Sequence, residues 1–81
     1  MDQPTLSQAV SAIKRQVRQT IGAELSHGFR STAIYQGYTG LCGEAEMALQ
    51  DGDLDPALVA KLEEYAHKVI ALWQQMEQPG R

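Results

Sequence analysis

The strongest pattern in this chain is a stripe of apolar residues near its C-terminus. Apolar side chains recur there at alternating spacings of three and four residues: Val59, Leu62, Ala66, Val69, Trp73 and Met76. This spacing places them on one face of a helix, as in a coiled coil. We therefore predict a helix over about 55–77, with Asp55 as its N-cap and Pro56 in its first position. These six residues are called the apolar seam below.

The sequence leaves open what covers the apolar seam: the same chain, a second copy or a foreign protein. A chain of 81 residues has a small core, because folding at this size buries only about 60–65% of its surface. Self-association is one of the usual remedies. We expect a homo-oligomer, most simply a dimer, that forms through the last helix. The expected interface residues are Val59, Leu62, Val69, Trp73 and Met76.

A second apolar stripe lies near the N-terminus. Its members follow at spacings of four and three residues: Leu6, Val10, Ile13, Val17, Ile21 and Leu25. Their mean spacing, close to 3.6 residues, predicts an amphipathic helix over about 4–27. Either Asp2 or Gln3 precedes it, with Pro4 in the first turn, or Thr5 is its N-cap. A cation followed by glycine, at residues 27–28, is typical of a helix C-terminus.

The middle of the chain, residues 32–50, has an apolar stripe that is interrupted by glycines. The stripe consists of Ile34, Tyr38, Leu41, Ala45 and Leu49, and the glycines are Gly37, Gly40 and Gly43. Each glycine inside a helix costs about 1 kcal/mol relative to alanine. Two interpretations follow. The helix is continuous and the small residues admit another backbone, or it breaks near 37–40 and restarts with Thr39 as cap.

No segment alternates between apolar and polar residues as a strand does. We therefore predict one all-α domain over residues 1–81, built as an antiparallel helical hairpin or a three-helix bundle. The single cysteine, Cys42, excludes an internal disulfide and makes a reducing cytoplasm the expected location. We expect neither a signal peptide nor a membrane span.

Charge is distributed unevenly, although the net charge is only −3. Residues 1–30 hold four basic and two acidic side chains, which gives +2, and residues 31–81 hold three basic and eight acidic ones, which gives −5. Such asymmetry steers partners and favours head-to-tail association. The basic residues of the first helix, Lys14, Arg15 and Arg18, are too few for a DNA reader, and a pI near 5.2 disfavours nucleic acid as a partner.

Several candidate metal and catalytic sites lack a residue or a position that their chemistry requires. The acidic run at residues 51–55 lacks the glycine and the glutamate of a calcium-binding loop. Two Glu-x-x-His pairs occur, Glu24 with His27 and Glu64 with His67, but the second lies opposite the apolar seam, where a bundle-core metal cannot reach it. Cys42 lacks a neighbouring base. We therefore expect no metal, no cofactor and no catalysis.

The most promising functional segment is residues 29–43. It holds three of the five aromatic residues of the chain, together with Arg30 and a flexible glycine-rich backbone. Aromatic and arginine side chains are enriched at protein-binding hot spots and in ligand pockets. We therefore assign ligand or partner binding to Arg30, Tyr35 and Tyr38.

These features indicate a small non-enzymatic interaction protein, a regulator, adaptor or inhibitor, that occludes part of another protein. Its size and composition are typical of accessory proteins of bacteria or phages. The alternative is a protein that binds a small molecule or nucleotide at an oligomer interface through segment 29–43.

Overall fold

The computed structural model describes residues 5–22 and 25–76, and the regular structure in these ranges is entirely helical. Four helices follow one another: α1 (Leu6–Ile21), α2 (His27–Arg30), α3 (Ala33–Asp51) and α4 (Pro56–Met76). The prediction of an all-α chain is confirmed. Residues 1–4 and 77–81 lie outside the described ranges, and with them the predicted caps Asp2 and Gln3 and the predicted end of the last helix.

Side-chain caps explain where three of the helices begin. Thr5 and Gln8 form a capping box at the start of α1, each side chain accepting a hydrogen bond from the backbone N–H of the other. The hydroxyl of Thr32 accepts from the backbone of Tyr35 at 3.2 Å, which starts α3. Asp55 Oδ1 accepts from the backbone N–H of Ala57 at 2.9 Å, so the predicted cap of the last helix is confirmed.

The first helix is shorter than the sequence predicts. α1 ends at Ile21 because Gly22 adopts a positive φ of 74°, which glycine reaches without strain. Ser26 then caps the short helix α2, and its hydroxyl accepts from the backbone N–H of Phe29 at 3.1 Å. The prediction that the first helix continues to about residue 27 is therefore wrong, and His27 begins a new helix.

The middle helix is continuous. α3 passes through residues 37–40 without a break, so the interpretation with a restart at Thr39 is wrong. One glycine has a packing role, because a Cβ added to Gly37 would lie 2.7 Å from Cε2 of Tyr65 on α4. Gly40 and Gly43 face open space, with nothing within 4 Å of an added Cβ. Only Gly37 therefore admits a close neighbour, and that neighbour is an aromatic ring, not a backbone.

The helix α4 lies at the centre of the fold. It packs extensively against both α1 and α3, whereas α1 and α3 contact each other only slightly. A short loop joins α3 to α4 as an antiparallel hairpin. Lys14 of α1 pairs with Glu46 of α3, and Arg18, one turn later on α1, lies near Tyr38, two turns earlier on α3. The helix α1 therefore also runs antiparallel to α3. The overall dimensions of 43 × 28 × 18 Å describe a thin slab, since packed helices lie 8–10 Å apart.

The core is built from one face of each long helix and from the single aromatic ring of α2. Its most deeply buried large side chains are Phe29, Leu62, Val10 and Val69. Four members of the apolar seam are buried in this core, namely Val59, Leu62, Ala66 and Val69. The chain itself therefore covers most of the apolar seam.

The glycines of α3 give a matched pair of stability predictions. Gly40→Ala removes a helix-interior glycine from an open position, so we expect the free energy of unfolding to rise by about 1 kcal/mol. Gly37→Ala forces the ring of Tyr65 to move, so we expect a fall of about 1 kcal/mol. Urea unfolding followed by circular dichroism measures both. Equal stabilisation by the two changes would show that α3 and α4 do not approach closely at Gly37.

Candidate binding groove

An open groove of about 290 Å³ lies between α1 and α3, where the two helices scarcely touch. We call it the α1–α3 groove. Its apolar side on α1 consists of Val17 and Ile21, both nearly inaccessible to solvent. Gly22 and the half-buried Leu25 close the end at which the chain leaves α1. The groove stays open because α1 and α3 both pack on α4 and contact each other only slightly, and Val17 and Ile21 give it an apolar floor.

The α3 side of the groove carries Tyr35, Tyr38 and Cys42. These residues follow at spacings of three and four and therefore share one helix face. Tyr35 also contacts Phe29, with ring centroids 5.3 Å apart. Burial raises the pKa of the Tyr38 hydroxyl well above its ordinary value, and the neighbouring Cys42 adds to this shift. Burial likewise raises the pKa of the Cys42 thiol, so both groups are neutral at pH 7.

Two cations of α1, Lys14 and Arg18, border the groove. Lys14 forms an ion pair with Glu46 of α3, and its ammonium group lowers the pKa of that exposed carboxyl group. Arg18 is exposed and takes part in neither of the two ion pairs found among residues 5–22 and 25–76. Arg15 lies beside a neighbouring hollow that α1 forms alone. The groove therefore has one basic edge.

The structure brings together two of the three residues that the sequence assigned to binding. Tyr35 and Tyr38 line the groove, whereas Arg30 does not. Arg30 instead donates from Nη2 to the backbone oxygen of Leu25 at 3.2 Å. This contact ties α2 to the segment before it, so the guanidinium group has a structural partner close to the groove.

Sequence reasoning missed the two cations as members of this site. Lys14 and Arg18 were considered only as possible DNA contacts, and Cys42 only as a disulfide partner or nucleophile. The sequence does indicate that these cations border an apolar surface, because Lys14 and Arg18 are four residues apart and flank Val17, a member of the apolar stripe. Only the antiparallel placement of α3 shows that this edge faces two tyrosines.

The residues predicted to form an oligomer interface lie in different environments. Val59, Leu62 and Val69 are buried within the chain, at 8%, 0% and 0% exposure. Trp73 is partly buried against the same core, and Met76 is 48% exposed. In this fold, therefore, only the last turns of α4 offer members of the predicted interface to a second copy.

The other candidate sites among the described residues bring fewer functional side chains together. A shallow apolar hollow lies between α3 and α4, bordered by Ile34, Tyr65 and Leu72. Glu64 pairs with Lys68 at 3.6 Å, and His67 is exposed. Glu24, the partner proposed for His27, lies outside the described residues. Within residues 5–22 and 25–76, no group of three or more histidine, cysteine or acidic side chains is placed to hold a metal ion.

Fold and groove together define a small all-α chain with an open groove that combines an apolar floor, two tyrosines and one basic edge. Comparison with protein-family models, with curated proteins and with solved structures gave no match. In the part of the chain that the structure describes, no helix has the length and apolar character needed to cross a membrane.

Proposed function

We propose that this protein is a small non-enzymatic interaction module that binds a segment of another protein in the α1–α3 groove. The observation that carries the proposal is the meeting of Arg18 with Tyr35 and Tyr38 around an apolar floor. Binding there would act by occlusion, because a segment held between two helices is withdrawn from its other contacts. By withdrawing that segment, the protein would act as a regulator, adaptor or inhibitor of its partner.

The residue types of the groove support a protein partner. Tyrosine and arginine dominate binding hot spots, because each combines a large contact area with hydrogen-bond donors. Tyr38 is already held by burial in the core, and Tyr35 is held by its ring contact with Phe29. Little side-chain entropy remains for these rings to lose on binding, which favours affinity.

The electrostatics of the groove support a binding role over a catalytic one. A cysteine acts as a nucleophile in its thiolate form. The raised pKa of Cys42 keeps the thiol protonated at neutral pH. Tyr38 is also kept neutral, since its pKa is raised. Neither group is prepared for nucleophilic or base catalysis.

A small anionic molecule is the second candidate for the groove. The volume of about 290 Å³ lies near the lower end of the roughly 300–1,000 Å³ that small-molecule pockets occupy. Arg18 and the tyrosines would then hold an acidic or nucleotide-like ligand. That reading predicts a melting temperature that rises with one such compound, whereas the protein-binding reading predicts no such dependence.

Site-specific photo-crosslinking in the native cell tests the proposal. The photoreactive residue p-benzoylphenylalanine replaces Tyr35 in one variant and Tyr65 in the other. Both tyrosines are half-buried, but Tyr65 borders the hollow between α3 and α4. We expect a covalent adduct with one partner protein from position 35 and none of that adduct from position 65. The yield of the adduct should fall when Arg18→Ala is added, because Arg18 borders the groove.

Two results would count against the proposed function. One is the absence of a protein adduct at position 35 while the variant remains folded by circular dichroism. The other is the same adduct at both positions, which would show that the partner contacts the chain without using the α1–α3 groove.

A further inference from the structure

The basic edge of the α1–α3 groove has a regular spacing. Lys14 and Arg18 are four residues apart on α1, so they lie on one side of the helix and about 6 Å apart along its axis. Carboxylates four residues apart on another helix have the same separation. The edge therefore matches a pair of carboxylates on a helix lying alongside α1.

The chain already contains one half of such an interaction. Glu46 of α3 places its carboxylate against Lys14, which borders the groove. Both side chains remain partly exposed, at 31% for Lys14 and 58% for Glu46, so the pair is open to exchange with a carboxylate from outside. Arg18 is exposed, with no carboxylate of the described residues paired to it.

The apolar floor fits a short stretch of helix. From Lys14 to Ile21 the α1 side of the groove spans eight residues, with a rise of about 10 Å, or two helical turns. A helix of that length presents two or three apolar side chains on one face. The groove volume of about 290 Å³ is large enough for such side chains but not for a whole helix. The backbone of the bound helix would therefore lie outside the groove, along its edges.

We propose that the segment bound in the groove is an acidic amphipathic helix. Two of its carboxylates, four residues apart, pair with Arg18 and Lys14. Its apolar face packs against Tyr35 and Leu25, which are partly exposed apolar residues of the groove. Glu46 competes with it for Lys14 and thereby limits its affinity. This inference rests on the proposed function, since it names the chemistry of the segment that the groove binds.

Selection from a displayed library of helical peptides tests the inference. The library keeps an apolar stripe constant and randomises both flanks, over about 15 residues so that the helix is stable enough to form. We expect selected peptides to carry Asp or Glu pairs at i and i+4 on one flank. The rate at which a maleimide labels Cys42, the only cysteine of the chain, should fall when they bind, because Cys42 lines the groove.

Three charge-neutralising variants sharpen the test, with peptide affinity measured by fluorescence anisotropy. Arg18→Gln should weaken binding about tenfold, at the low end of the loss expected for a hydrogen bond to a charged group, because Arg18 is exposed. Glu46→Gln should strengthen binding severalfold, because it frees Lys14 from its internal partner. Arg15→Gln is the matched control, since Arg15 lies outside the groove, and it should change affinity less than twofold.

The outcomes separate this inference from the proposed function. Peptides that protect Cys42 but lack paired acids would overturn the acidic helix and leave the binding groove intact. Peptides that bind without protecting Cys42 would overturn both the acidic helix and the α1–α3 groove as the binding site. Slower labelling of Cys42 at high protein concentration in the absence of any peptide would show that a second copy of this protein, not a foreign helix, occupies the groove.

Discussion

Replacing Phe29 with alanine is expected to remove a large share of the stability of the fold. Phe29 has no solvent exposure, and truncating a buried phenylalanine costs about 3–5 kcal/mol. A domain of 81 residues has a total stability of roughly 4–12 kcal/mol at typical values per residue. Phe29 stands on α2, a helix of four residues that is too short to persist without tertiary contacts. Urea unfolding monitored by circular dichroism measures the loss.

A conservative replacement serves as the control for Phe29. Phe29→Leu keeps an apolar side chain in the same space, so we expect it to cost about 1–1.5 kcal/mol. If Phe29→Ala were as stable as the wild type, α2 would not be anchored in the core. Tyr35, which touches the ring of Phe29, would then lose its support at the groove.

The helical class could be predicted from the sequence because the information it needs is local. A spacing of three and four residues specifies one helix face wherever the helix is placed. The caps at Thr5 and Asp55 are also local, since each side chain bonds to a backbone group two or three residues away. The stripes and caps therefore locate most of α1, α3 and α4 before any packing is known.

The end of α1 could not be predicted in the same way. The chain has seven glycines, and each of them tolerates a positive φ equally well. Among the described residues only Gly22 and Gly52 adopt one. Gly22 directly follows Ile21, the last buried residue of α1, and Phe29 of α2 is buried in the same core. A helix predicted from the apolar stripe alone passes straight through this position.

The candidate groove depends on packing between distant parts of the chain. Tyr35 and Tyr38 were identified from their residue types, but their neighbours Lys14 and Arg18 are about 20 residues earlier in the sequence. They meet because α1 and α3 are antiparallel and both rest on α4. Periodicity shows that a face is covered without showing which helix covers it. For this reason the sequence pointed to Arg30, which is close to the tyrosines along the chain, whereas Arg18 is the arginine that lines the groove.

Replacing Val69 with aspartate is expected to unfold the protein, and this result separates a core position from an interface position. Val69 has no solvent exposure within the single chain. The substitution removes a buried side chain and places an unpaired carboxylate in an apolar site, a change that costs more than about 4 kcal/mol. If Val69 formed an interface between copies, the variant would instead remain folded and become monomeric.

Met76→Asp is the matched control for Val69→Asp, because it introduces the same side chain in the same helix. Met76 is 48% exposed, so we expect its effect on the free energy of unfolding to stay within about 0.5 kcal/mol. Circular dichroism reports folding, and size-exclusion chromatography with light scattering reports the number of copies. If Val69→Asp gave a folded monomer, Val69 would belong to an interface between copies, as the sequence predicts for the apolar seam. A dimeric wild type that Met76→Asp converts to a folded monomer would place the contact between copies at the exposed end of α4.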